Sequence, residues 1–245
     1  MGELFNISVL SSLLLRIINS IPDKNGLEIE FGLGRKDVLT GRFENGIDIL
    51  DMHSIISICK QAQLQSTDIT YKANNRTDII NKMNKSSCIR YSNSQKDKTS
   101  IWSCTKKTKI LSLDIGCRNT NYAIRLNVKR ETKVNLPLNF SINDVHNNNS
   151  VTRQLDRQSF RYTHDAFQID ITNALSSPLP LSLLPSSITT TITKTPLRSD
   201  HIHQIEWESL KPSNLLVVQD IRNILSNMMS IISKDVEFDF FLYDT

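Results

Sequence analysis

The spacing of hydrophobic positions changes several times along the chain, and each change predicts an element. Leu4, Val9, Leu13, Ile17 and Ile18 recur at helical intervals ahead of Pro22, which predicts an amphipathic helix over 3–20. After the Asn25-Gly26 turn signal, residues 27–33 alternate as a strand does. Residues 47–64 return to a helical pattern. Short alternating segments then follow at 77–80, 87–92, 100–105, 108–115 and 122–134, separated by polar turns such as 92–98 and 118–121. That rhythm predicts an antiparallel meander. A polar loop at 143–152 precedes strands at 157–163 and 166–172, read as a hairpin about 163–165, and a last strand is predicted at 202–208. Pro212-Ser213 then opens a helix with Leu215, Val218, Ile221, Leu225, Met228 and Ile232 on one face. Residues 176–200 carry four prolines and no period, and read as a surface insertion in a single domain spanning 1–245. The apolar end of the chain, VEFDFFLYDT, suggests continuation into a longer polypeptide.

Side chains at i and i+2 of a strand share a face. On the first strand Glu28 and Glu30 lie opposite Leu27, Ile29 and Phe31; on the last, Glu206 and Glu208 lie opposite Ile205 and Trp207. Arg125, Asn127, Lys129 and Glu131 oppose Ile124, Leu126 and Val128. Gln168, Asp170 and Thr172 oppose Phe167, Ile169 and Ile171, and Arg157, Ser159 and Arg161 oppose Phe160 and Tyr162. A sheet with one face on the core and one in water gives the same alternation. However, Glu repeats Glu on two strands, and nothing within either strand offsets the repulsion. A divalent cation such as Mg²⁺ or Mn²⁺ would offset it, since hard cations take carboxylate oxygens. The Arg- and Lys-bearing faces suit an anion such as a polyphosphate.

Composition narrows the classes further. The chain has 245 residues, 39% hydrophobic and 22% charged, the balance of a globular protein rather than a disordered or membrane one. It has 7 glycines, and the close pair Gly32 and Gly34 extends to neither a dinucleotide fingerprint nor a P-loop. A net charge of +4 allows a polyanionic partner without requiring one. Cys59, Cys88, Cys104 and Cys117 are dispersed, which points to reduced thiols in a cytoplasmic protein rather than a zinc site or a disulfide framework. No apolar run suffices for a membrane span, and the start is a poor signal peptide. His201 and His203 read as surface residues, and Trp102 and Trp207 as packing residues.

LEIEFGLG at 27–34, SCIRYS at 87–92, WSCTKK at 102–107, AIRLNVKRE at 123–131, DRQSFRYTHDAFQIDIT at 156–172 and HQIEWES at 203–209 stand in an order that resembles the metal-dependent RNA 5′-triphosphatases. These belong to the triphosphate tunnel metalloenzymes and occur in fungi, protozoa and the capping enzymes of large DNA viruses. The resemblance implies an α+β fold, an eight-stranded antiparallel β-barrel with flanking helices and charged faces turned inward. It implies Glu28, Glu30 and Glu208 as ligands of Mg²⁺ or Mn²⁺, with Glu206 beside them. Arg125 and Arg157, with Arg90, Lys106, Lys129 and Arg161, would hold the triphosphate, and Asp170 and Thr172 would organise the basic side chains. Glu131 would position the attacking water. The substrate would be an RNA 5′-triphosphate end in the first step of cap formation, with a guanylyltransferase domain acting in cis or in trans. The chain departs from the family pattern at Leu155, Gln168 and Gln204, each of which removes a charge. It carries neither the KxDG motif of guanylyl transfer nor the HCxxxxxR loop of cysteine phosphatases. A small-molecule tri(poly)phosphatase of the same fold, or a non-catalytic module for RNA 5′ ends or a partner, are the other readings.

Overall fold

The computed structural model describes residues 4–37, 39–65, 70–84, 86–96, 99–118, 120–136, 151–164, 167–177, 200–232 and 240–242. It contains helices α1 (Ile7–Asn19), α2 (Ile49–Gln65) and α3 (Val218–Ile232). The strands are β1 (Leu27–Lys36), β2 (Phe43–Asn45), β3 (Thr70–Lys82), β4 (Ser87–Lys96), β5 (Thr99–Cys117), β6 (Ala123–Val134), β7 (Val151–His164), β8 (Phe167–Ser177), β9 (Asp200–Ser209) and β10 (Phe240–Leu242).

The pairings close on themselves. β1 pairs with β6, β6 with β5, then β4, β3, β7, β8 and β9 follow, and β9 returns to β1. Every pairing is antiparallel, so eight strands form a closed barrel. β2 folds back on the end of β1 and β10 is added to β5. The turn into β2 presses its backbone onto β1: a Cβ at Gly34 would stand 2.3 Å from the Glu44 carbonyl oxygen, so glycine is required there.

The apolar residues of alternate positions meet the helices. Ile29, Phe31 and Leu33 of β1, Ile124, Leu126 and Val128 of β6, Ile169 and Ile171 of β8, and Ile205 and Trp207 of β9 are all buried. They form one cluster with Leu10, Leu14 and Ile18 of α1, Met52, Ile55 and Cys59 of α2, and Ile221, Ile224, Leu225 and Met228 of α3. Each such side chain contributes about 1.5–3 kcal/mol on burial. An eight-stranded ring has room inside for side chains but not for helices. The helix-bearing face is therefore the outside of the barrel, and the charged face is its lining.

Local devices fix the helices. The Asn6 side chain caps α1, accepting from the backbone N–H groups of Ser8 and Val9 at 3.0 Å. Asp220 accepts from the Val217 N–H at 3.0 Å at the start of α3. Trp207 Nε1 donates to Asn227 Oδ1 at 2.8 Å, tying β9 to α3.

The structure corrects several boundaries. The segments 100–105 and 108–115 are one strand, β5, broken in register between Lys109 and Leu111 where β6 carries no matching extra residue. The last helix begins at Val218, after a separate 3-10 turn at Ser213–Leu215, because Leu216 is extended with ψ 136°. Leu215 is consequently 61% exposed rather than part of the apolar face. In the apolar end segment, Phe240 is fully buried, pairs with Cys117 and exchanges backbone hydrogen bonds with Phe5. The predicted polar loop, apart from 151–152, and most of the Pro-rich insertion lie outside the described residues. Among the described residues no helix is long and apolar enough to cross a membrane.

Candidate active site

The two glutamate strands are neighbours in the ring. Glu30 on β1 lies opposite Glu208 on β9, and Glu206 lies opposite Gly32. On the other side of β1, β6 sets Lys129 opposite Glu28 and Asn127 opposite Glu30. β8 sets Gln168 opposite Glu208, Asp170 opposite Glu206 and Thr172 opposite Gln204. β7 adds Arg161 opposite Asp170, and β5 adds Lys107 opposite Glu131. Residues paired across an antiparallel ladder project to the same side. One continuous lining thus collects Glu28, Glu30, Glu206, Glu208, Lys129, Glu131, Arg161, Asp170 and Thr172.

Ion pairs knit this lining. Lys129 Nζ is paired with Glu30. Lys107 Nζ lies 3.1 Å from Glu28 and 2.6 Å from Glu131. Arg161 grips Asp170 with two hydrogen bonds of 2.7 Å. Arg90 approaches the fully buried Asp78 at 3.9 Å, and Asp78 also accepts from Ser92 Oγ at 2.6 Å. Arg90 Nε, the atom that faces Asp78, is buried without a hydrogen-bond partner. Its charge acts on Glu30, Lys129 and Glu131, so Arg90 belongs to the same constellation.

The protonation states follow from this crowding. Burial, then the hydrogen bond shared with Glu131, pushes the Glu28 carboxyl up to about 7. At Glu131 burial acts in the same sense, but the hydrogen bonds to Glu28 and Lys107 outweigh it and hold the carboxyl at about 2. Glu208 is raised by burial and then by the charge of Glu30. Glu30 is held below the usual range because Lys129 and Lys107 outweigh its burial. Lys129 is raised: burial opposes its charge, but Glu30 and Glu206 more than compensate.

Two expected residues stand differently, and a third has no described side chain. Lys106 is exposed and belongs to the outer alternation of β5; its neighbour Lys107 is the lysine on the lining. The two lysines are adjacent, and strand phase alone decides between them. Arg125 is engaged by Asp114 through bonds of 2.6 and 3.0 Å and stacks 4.1 Å over the Phe43 ring. Lys36 shares the same Asp114 at 2.6 Å, forming a separate cluster two rungs along β6 from Lys129. Arg157 sits on β7 opposite Ala174, and its side chain lies outside the described ones. Asp78, Lys107 and Asp114 were missed by sequence reasoning, although the alternation around Asp78 and Asp114 carried the signal. His201 and His203 stack at 6.3 Å between ring centroids, on the exposed and half-buried outer side of β9. Among the described residues no three acidic, histidine or cysteine side chains converge on one point; Lys129 stands at Glu30 and Lys107 at Glu28.

A closed antiparallel barrel lined by opposed carboxylates and facing cations defines a triphosphate tunnel protein, a fold in which a polyanion and a hard cation can share one interior. Residues 39–238 match the family described as mRNA capping enzyme, beta chain, and the chain belongs to that family. As such it is a hydrolase, an RNA 5′-triphosphatase of mRNA capping. The fold is that of the Schizosaccharomyces pombe Pct1 RNA triphosphatase, with a TM-score of 0.67 and 18% identity over 94% of this chain and 93% of that one. Pct1 solved in complex with the Spt5 CTD gives 0.66 at 18% identity, over 94% of both chains. The mimivirus capping enzyme triphosphatase is similar at a TM-score of 0.55, with 14% identity over 91% of this chain and 96% of that one. No curated protein matches the chain in sequence. The family match begins beyond β1, so it is the pairing of β1 with β6 and β9 that brings Glu28 and Glu30 into the tunnel.

Proposed function

We propose that the γ-phosphate of a triphosphate-ended RNA is hydrolysed at the Glu30–Glu208 wall of this tunnel, with Mg²⁺ or Mn²⁺ held by Glu30, Glu208 and Glu28. The observation that carries the reading is the opposition of Glu30 and Glu208 on adjacent strands, with Glu206 one rung away. Lys129 at Glu30 and Lys107 at Glu28 would have to yield for these carboxylates to converge on such a cation, but the donor set suits it in kind. It is all carboxylate oxygen, and the charge of Glu30 already raises Glu208, a strain that a hard cation relieves. When bound, the metal would polarise the γ-phosphate.

The chain's own residues supply the rest. Arg90 and Arg161 can neutralise charge on the phosphoryl oxygens, and the charge of Arg90 already reaches Glu30 and Glu131. Asp170 holds Arg161 in a fixed fork, so less freedom is lost when the guanidinium meets a phosphate. Glu131, kept ionised by Lys107 and Glu28, can accept a hydrogen bond from the attacking water. Glu206 and Lys129 flank the carboxylates, with Thr172 further along the wall. We assign Arg157 to the triphosphate on the same grounds as its strand neighbour Arg161. Arg125, bound by Asp114, acts as a structural cation of the wall rather than as a catalytic one.

A beta chain implies a companion, and a guanylyltransferase in cis or in trans is the partner that would use the diphosphate end. A cytoplasmic location fits four unpaired cysteines. Phosphate release should be compared on triphosphate-ended RNA, ATP, thiamine triphosphate and tripolyphosphate. The highest kcat/KM on RNA supports the reading. Preference for a small triphosphate would move the protein to that substrate class.

A further inference from the structure

The two ends of the lining differ. Where β1 finishes, a Cβ at Gly34 would collide with the ring of Phe43 from β2. Gly34 shares the inner side of β1 with Glu28, Glu30 and Gly32, so that ring lies inside the tunnel. Phe43 is only 7% exposed, yet it stands outside the hydrophobic cluster that packs the helices. Arg125 stacks 4.1 Å over the ring and is bound by Asp114, which also holds Lys36. On the facing wall, beyond Asp170, Thr172 and Ala174 of β8 are both buried. The described side chains stopper this end.

The other end carries an exposed cation. β1 begins at Leu27, opposite Arg130, and β6 runs on past it to Val134. Lys133 in that extension shares the lining side with Lys129 and Glu131 and is exposed. It stands four residues, about 14 Å, along the strand from Lys129. Its rung runs Lys133, Thr105 and Arg90 over β6, β5 and β4, just outside the rung of Glu131 and Lys107. Lys129 and Lys107 are spent on Glu30, Glu28 and Glu131. No described carboxylate pairs with Lys133.

A tunnel stoppered at one end admits a chain end from the other. The terminal phosphate then goes deepest, and the nucleotides behind it lie at the open rung. Resting on the RNA reading above, we propose that RNA enters terminal phosphate first through the β5–β6 mouth, where Lys133 binds the phosphodiester backbone that follows the triphosphate. The Thr105 hydroxyl stands beside it in the same rung. ATP and tripolyphosphate carry no phosphodiester, so this contact favours a polynucleotide over a small triphosphate.

The test is kcat/KM on a short triphosphate-ended RNA over a salt series, with tripolyphosphate affinity measured by calorimetry beside it. Lys133→Ala should lower kcat/KM on RNA by roughly fivefold at low salt. It should also flatten the plot of log kcat/KM against log salt by about 0.7, the slope of one single-strand phosphate contact. Lys133→Glu should lose more. Tripolyphosphate affinity should stay within twofold of wild type in both, and Lys133 is exposed, so both should fold. Arg42→Glu, at an exposed cation beside the stopper, should leave RNA use unchanged. An unchanged salt slope in Lys133→Ala, or an equal loss in Arg42→Glu, would overturn the entry route and leave the RNA reading standing. A matching loss of tripolyphosphate affinity would make Lys133 a triphosphate ligand and overturn the proposal too. Wild type that prefers tripolyphosphate to RNA would sink the RNA reading and this proposal with it.

Discussion

Glu30 and Glu208 stand directly opposite one another on β1 and β9, two carboxylates in register on the lining of a closed barrel. Like charges so placed cost stability in an ordinary sheet. Here the cost is visible in Glu208, which burial and Glu30 together make harder to ionise. Lys129 offsets Glu30, and a neutral amide holds Glu208. Such an arrangement serves a ligand better than it serves the fold.

The neighbouring lysines of β5 should behave very differently. Lys107 is 12% exposed and bridges Glu28 and Glu131. Lys107→Ala should lower kcat/KM for triphosphate-ended RNA by roughly 10–100-fold, the range for partners of metal-binding side chains. Lys106→Ala should lie within about 0.5 kcal/mol of wild type in stability and leave the rate unchanged. Equal defects in the two variants would show that the strand phase is misassigned.

Asp114 holds two cations, Arg125 and Lys36, in a mostly buried cluster. Asp114→Ala strands both, and should cost about 3 kcal/mol in urea denaturation at neutral pH. Burial pushes the Asp114 carboxyl up, but the hydrogen bonds from Arg125 and Lys36 outweigh it and hold it below the usual value. A depressed carboxyl stabilises the fold fully above its unfolded pKa of about 3.9, and that stability is lost as pH falls towards the folded value. The wild type should therefore lose more stability than Asp114→Ala between pH 5 and pH 3. A constant difference between the two across that range would contradict the pairing.

Much of the lining was legible in the strand alternation, and the reason is geometric. Period-2 patterning assigns residues to faces without knowledge of the fold, so Glu28 with Glu30, and Asp170 with Thr172, could be grouped from sequence. What alternation cannot give is which face turns inward. That depends on closure by β5–β6 and β9–β1, and Glu30 meets Glu208 only because strands at opposite ends of the chain pair. The bulge between Lys109 and Leu111 was likewise invisible, since it belongs to the pair of strands rather than to either. That Asp114, eleven residues earlier, partners Arg125 is also a property of the β5–β6 pair rather than of either strand.

Proton competition should appear in metal binding. Glu28 is pushed up to about 7 by burial and by its hydrogen bond with Glu131. Below that value the carboxyl carries a proton that a cation must displace. Mn²⁺ affinity of the RNA-free protein should therefore fall by roughly fivefold from pH 7 to pH 6 and level off above pH 8. In Glu131→Gln, which removes a like charge beside Glu28, the fall should begin at lower pH. Affinity independent of pH between 6 and 8 would place Glu28 outside the metal's surroundings.

Phosphate release from γ-labelled, triphosphate-ended RNA, with and without Mg²⁺ or Mn²⁺, tests the tunnel site most directly when run on Glu28→Ala, Glu30→Ala and Glu208→Ala. Wild type should require the metal. Each variant should lose about 10³-fold in rate, roughly 4 kcal/mol of transition-state stabilisation. Double variants should be little worse than single ones, because the three carboxylates act as one unit. Glu44→Ala, at an exposed carboxylate on β2, should keep the wild-type rate. Metal-dependent release at the wild-type rate in all three single variants would contradict the site, and release that never depends on metal would contradict the chemistry.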